Sequence, residues 1–146
     1  MFIKLRHFFA ALIFICCSAA NADLAIIVHP DYEGGELTEE MVKDIFLGVN
    51  TKFPSGHTAI PANHAEGRPD RKHFFEYVLK MSEQKHKRYW KRKASTGKKG
   101  APEELDSHQE VLKWVADTPL GITYIDKTKV NDTVKTLFTV LVFEDL

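Results

Sequence analysis

The chain has 146 residues, with 20 basic and 20 acidic side chains and a formal net charge of zero. That balance gives no case for general nucleic-acid binding, which draws on a strong basic field. Its two cysteines, Cys16 and Cys17, fall close to the N-terminus, so the rest of the chain has no residue for a disulfide or a thiolate metal site.

Lys4 and Arg6 precede an uninterrupted apolar run from Phe8 to Cys17, and Ala20-Asn21-Ala22 is a small-x-small segment. These three parts make the plan of a secretory leader over 1–22, with the cut expected after Ala22. A membrane-spanning helix needs roughly 20 apolar residues. The run is about half that, which favours cleavage over a retained anchor. Cys16 follows Ile15 and Cys17 follows Cys16, a poor context for lipid attachment. The expected mature part, 23–146, is periplasmic, has the size of one domain and contains no repeat or linker. Without Lys4 and Arg6 it carries two more acidic than basic side chains, which predicts solubility. In an oxidising compartment it has no disulfide, so a hydrophobic core must hold it together.

Leu24 to Val28 is a continuous, β-branched-rich apolar run, the pattern of a strand buried on both faces. Pro30 and Gly34-Gly35 end it. Thr38 caps a first helix with Glu39 and Glu40 in its first turn, where the helix dipole favours negative charge. Met41, Val42, Ile45 and Phe46 form its apolar stripe, and Gly48 stops it. A polar loop from Asn50 to Thr58 leads to a second strand, Ala59 to Asn63. Pro69 opens a second helix that buries Phe74, Phe75, Val78 and Leu79. Ser82 caps a third helix through about Lys93, with Tyr89 and Trp90 packed inward, and Ser95 to Pro102 reads as a loop. Ser107 and Glu110 make a capping box that starts a fourth helix with Val111, Leu112, Val115 and Ala116 inside. The turn Thr118 to Gly121 enters a strand over Ile122 to Ile125, and a last strand spans Thr133 to Phe143. The order β-α-β-α-α-α-β-β predicts an α/β domain with a mixed sheet covered by helices. Open α/β sheets bind ligands beyond the carboxyl ends of their strands, here the loops after Val28 and Asn63.

Five segments in order resemble the periplasmic phosphate-type solute-binding proteins of ABC transporters. Leu37 to Gly48, L-T-E-E-M-V-K-D-I-F-L-G, resembles their L-S-x-x-x-x-x-I-F-x-G helix. Thr51 to Gly56 stands where they have x-x-W-x-D-G, and Ile60-Pro61 matches the start of their next strand. Phe75 to Leu79 matches their F-x-x-x-L helix, and Thr118 to Tyr124, T-P-L-G-I-T-Y, resembles their T-P-G-A-I-G-Y ending. Tyr89-Trp90 with Thr96 to Pro102 is similar to short, one-lobe members. The resemblance implies a single lobe of a type 2 periplasmic binding protein. It implies a non-enzymatic, cofactor-free domain that binds phosphate or another small oxyanion for uptake or sensing, with a membrane transporter or sensor as partner. Full-length members have two lobes that close on the anion, and one lobe alone cannot clamp by hinge closure. They also carry Ser-Gly-Thr at the helix start after the second strand, where this chain reads Gly67 to Lys72. Pro69 lacks an N–H and Asp70 would repel an anion, so none of the family's ligand residues is carried over. An adaptor that kept the lobe and lost the ligand is the alternative.

The candidate site in this chain is the loop Asn63 to His73, which precedes a helix N-terminus. Asn63, His64, Arg68 and Arg71 are the candidate oxyanion ligands, the two arginines through bidentate bonds. Glu66 and Asp70 would neutralise the same loop if it is only a solvated surface. Ser95 to Gly100 lacks the full phosphate-loop spacing and reads as a flexible basic loop. Lys85 to Arg88 and Lys91 to Lys93 read as a solvated helix face, with the neighbouring aromatics turned to the core. No tight histidine pair signals a metal site, although His57, His64 and His73 could meet in space. No nucleophile elbow or cysteine nucleophile signals an enzyme.

Overall fold

The computed structural model describes residues 22–143; the expected leader, up to residue 21, lies outside the described residues. The described residues form five strands and four α-helices in the order β1 (Leu24–Val28), α1 (Glu39–Phe46), β2 (Ile60–His64), α2 (Pro69–Phe74), α3 (Glu83–Ala94), β3 (Glu103–Leu105), α4 (His108–Asp117), β4 (Gly121–Asp126) and β5 (Lys135–Val140). The strands form one mixed sheet in the order β3-β2-β4-β1-β5. β2 lies parallel to both β3 and β4, while β1 is antiparallel to β4 and β5. Among the described residues no helix is long and apolar enough to cross a membrane.

The apolar run that predicts β1 has its explanation in this order. β1 lies between β4 and β5, and all five of its residues are fully buried. Leu24, Ile26 and Val28 enter one core with Phe46 of α1 and Phe74 of α2, whereas Ala25 and Ile27 enter the other with Val111 and Val115 of α4. A strand covered on both faces cannot alternate polar and apolar residues. Each buried Ile or Val contributes about 1.5–3 kcal/mol relative to exposure.

The caps act where the sequence places them. Thr38 accepts from the Met41 N–H, Ser82 from Lys85 and Ser107 from Glu110. The return arm of the Ser107 box is displaced by one residue: Glu110 Oε2 accepts from the Asp106 N–H at 2.7 Å. The second helix is shorter than the apolar spacing predicts. α2 ends at Phe74, and Phe75–Leu79 continues as a wider π turn closed by Lys80 in the left-handed region at φ 54°. The wider turn still buries Phe75, Val78 and Leu79. The predicted last strand, Thr133 to Phe143, is paired only over Lys135–Val140. β3 follows the expected loop Ser95 to Pro102, in a stretch for which the sequence predicts no element.

Candidate functional site

β2, β3 and β4 run parallel, and their carboxyl ends meet the start of α2 and α4. Asn63, expected at the end of the second strand, and His64, expected in the loop after it, are the last two residues of β2 and are buried. The strand extends one residue beyond the predicted end because Ala62 to His64 pair with Glu103 to Leu105 of β3.

His64 lies against Tyr124, ring on ring, at 4.6 Å between centroids. Its backbone N–H donates to the Tyr124 hydroxyl, which in turn donates to Asn63 Oδ1 at 3.0 Å. Its Nε2 lies 2.5 Å from the Tyr124 carbonyl and so carries the proton. Burial is the main force lowering the His64 pKa, to about 4, and the imidazole is neutral at pH 7. Its Nδ1 lone pair then faces Asp70 Oδ2 at 3.8 Å and has no hydrogen-bond partner. Burial also pushes the Tyr124 hydroxyl above its ordinary range.

Asp70, in the first turn of α2, points inward. Its Oδ2 accepts from His108 Nε2 and from the Asp126 N–H, both at 2.9 Å. A carboxylate of the chain itself therefore takes the N–H and imidazole donors that converge beside the start of α2. Pro69 at the first position of α2 removes one further donor.

Arg71 is 3 % exposed, and each of its three guanidinium nitrogens donates a hydrogen bond. Nε and Nη2 form a fork on Glu83 at 2.6 and 2.8 Å, while Nη1 donates to Glu104 Oε1 and to the His64 carbonyl, both at 2.9 Å. Its flat face covers the Phe75 ring at 4.5 Å. Burial alone would lower the Arg71 pKa, but the bonds and charges of Glu83 and Glu104 outweigh it and raise it. The hydrogen bond from Arg71 holds the Glu83 carboxyl below its usual range. Arg68 lies at the rim: Nη1 donates to the Asp106 carbonyl at 2.5 Å, and Nε has no partner among the described residues. The adjoining cleft, about 990 Å³, is bordered by Arg68, Lys72 and Lys80 but also by Glu66, Glu76 and Glu83, so its charges balance.

The structure thus brings Asn63, His64 and Arg71 together in one buried network and leaves Arg68 at its mouth. His57 is exposed and His64 is buried, and among the described residues no group of three potential metal ligands gathers. Sequence reasoning missed Glu83, Glu104, His108, Tyr124 and the inward turn of Asp70. A signal existed for His108, which the Ser107 cap fixes at the first position of α4. Thr123 and Tyr124, polar groups in the buried run Gly121 to Ile125 of β4, were a second signal.

No protein-family model matches the chain, and comparison with curated proteins gives no match. Solved structures do match. A candidate phosphate ABC transporter substrate-binding protein with bound phosphate from Clostridium perfringens superposes with a TM-score of 0.63 at 20% identity, over 80% of this chain and 45% of that one. An ABC-type phosphate transport receptor from Vibrio cholerae gives 0.62 at 16% identity, over 80% and 46%. PstS from Borrelia burgdorferi gives 0.58 at 15% identity, over 80% and 47%. The fold is therefore that of one lobe of a phosphate-type solute-binding protein, as the five segments imply. The chain spans less than half the length of the structures it matches.

Proposed function

We propose that this chain is an exported, non-enzymatic binding-protein lobe that works in the periplasm as an adaptor, docking on a membrane transporter or sensor. The observation that carries this reading is the internal neutralisation of the cleft. Arg71 is spent on Glu83 and Glu104, and the Asp70 carboxylate holds the donors beside α2. A free anion would have to displace bonds that the buried Arg71 and Asp70 already make, and leaving a buried charge without its partner is costly.

The second reading is a binder of phosphate or another small oxyanion through Asn63, His64, Arg68 and Arg71. The partnerless Nε of Arg68 favours it. So does the fold shared with a protein that holds phosphate.

Thermal unfolding with and without phosphate or sulfate separates the two. A ligand at a hundred times its Kd stabilises by about 2.7 kcal/mol. The adaptor reading expects no rise in Tm at millimolar anion, together with co-purification of a membrane protein after cross-linking in cells. A saturable rise that Arg68→Ala removes would overturn it in favour of the oxyanion reading. Fractionation of the same cells tests export: the periplasmic form should begin at Asp23.

A further inference from the structure

A second concavity, of about 610 Å³, opens at the opposite edge of the sheet, by the amino ends of β2 and β4. Its apolar lining comes from Ile45, Ile60, Pro61, Trp90 and Leu120. Ile60 is 45% exposed although it begins a strand, so a β-branched side chain faces water here. Lys93, Lys98 and Lys99 line the same groove, and among the described residues no carboxylate does. In a chain with equal numbers of acidic and basic side chains, three lysines in one groove are a local excess of positive charge. The cations differ in kind. The Lys93 ammonium donates to the carbonyls of Leu47 and Gly48 at 2.7 and 2.9 Å, which pins a positive charge beside Trp90. Lys98 and Lys99 are exposed on the loop after α3 and can swing over the groove.

We propose that this groove binds a small amphipathic anion, a molecule with an apolar chain or ring and a single carboxylate. The apolar part would lie on Ile60, Pro61, Leu120 and the Trp90 ring, where it removes exposed apolar surface from water. The carboxylate would meet Lys98 and Lys99, in the positive field of Lys93. The volume falls within the range of roughly 300–1,000 Å³ usual for small-molecule sites, and so does the pattern of an apolar wall with a few polar anchors. The site is at the far edge of the sheet from the Asp70 and Arg71 network and does not depend on either reading of that network.

The test is a ¹⁵N NMR titration of the protein with sodium octanoate, with octan-1-ol as the uncharged analogue. Octanoate should shift the Trp90 indole and the Ile60 and Leu120 amides along one saturable curve, and octan-1-ol should bind at least about fivefold more weakly. Lys98→Glu with Lys99→Glu, both on an exposed loop, should weaken octanoate about tenfold and leave octan-1-ol unchanged. Three results would overturn the proposal: no groove signal moving up to about 10 mM octanoate, equal binding of acid and alcohol, or octanoate binding indifferent to the double charge reversal.

Discussion

At the carboxyl ends of β2 and β4, Arg71 is ringed by Glu83, Glu104 and the His64 carbonyl, and Asp70 by His108 and the Asp126 N–H. At the amino ends of the same strands, Lys98 and Lys99 border an apolar wall with no carboxylate among the described lining residues. Both regions hold charge next to aromatic rings, and they differ in whether that charge is already matched. Matched charge in a dry place fixes structure, because each member is held by its partner. Unmatched charge at a wet apolar groove is free to recognise something else. In this lobe the charges at the strand ends where open α/β sheets usually bind ligands are already paired within the chain.

The largest test of that contrast is Arg71→Ala. It leaves Glu83, Glu104 and the His64 carbonyl without their donor. Removing one member of a buried pair costs 3–5 kcal/mol, and both carboxylates here keep some contact with water. A loss of about 3 kcal/mol in urea unfolding is expected. A loss below about 1 kcal/mol would mean that the network is no more than a surface ion pair.

Acid should act at the polar end next. His64 is held to a pKa of about 4 chiefly by burial, and so is His86, with Arg71 adding to the effect. Both stand near 6.5 in the unfolded chain, which therefore takes up protons first as pH falls. Their contribution to stability is complete above pH 6.5 and is lost as pH drops toward 4. The urea midpoint should fall through that window, and His64→Asn should flatten the slope. A midpoint that stays level between those pH values would contradict neutral, buried imidazoles.

The smallest effect belongs to the groove end. Gly48 has φ +65°, and a Cβ there would meet Lys93 Nζ at 3.1 Å and the Trp90 ring at 3.2 Å. Gly48→Ala should cost about 1 kcal/mol, measured by the same unfolding curve. No change would show that Lys93 and Trp90 move easily, and that this wall of the groove is soft.

Much of the fold is readable in the sequence because the signals are local. The five-residue apolar run gives β1, and Thr38, Ser82 and Ser107 mark three helix starts. β3 is not readable, because Glu103 and Glu104 are exposed on a three-residue edge strand and carry no apolar pattern. The π turn after α2 is hidden for a related reason, since its buried residues fit an ordinary helix stripe as well. The site was legible as a location and not as an arrangement. Spacing singles out Asn63 to His73, but Glu83 and Glu104 stand 12 and 33 residues from Arg71. Only the fold brings them to it.

The central place of β1 has a consequence for how the chain comes to be folded. Leu24 pairs with Asp126 and Val140, so the first strand to be synthesised waits for the two that come last. Its partners on both sides lie about 100 residues away in sequence. Contacts that distant close late and slow folding. Until β4 and β5 have emerged, the most apolar strand of the sheet has nothing to pair with. The sheet around β1 cannot close until most of the chain has been made, and Leu24 to Val28 is the apolar segment that a chaperone would have to shield until then.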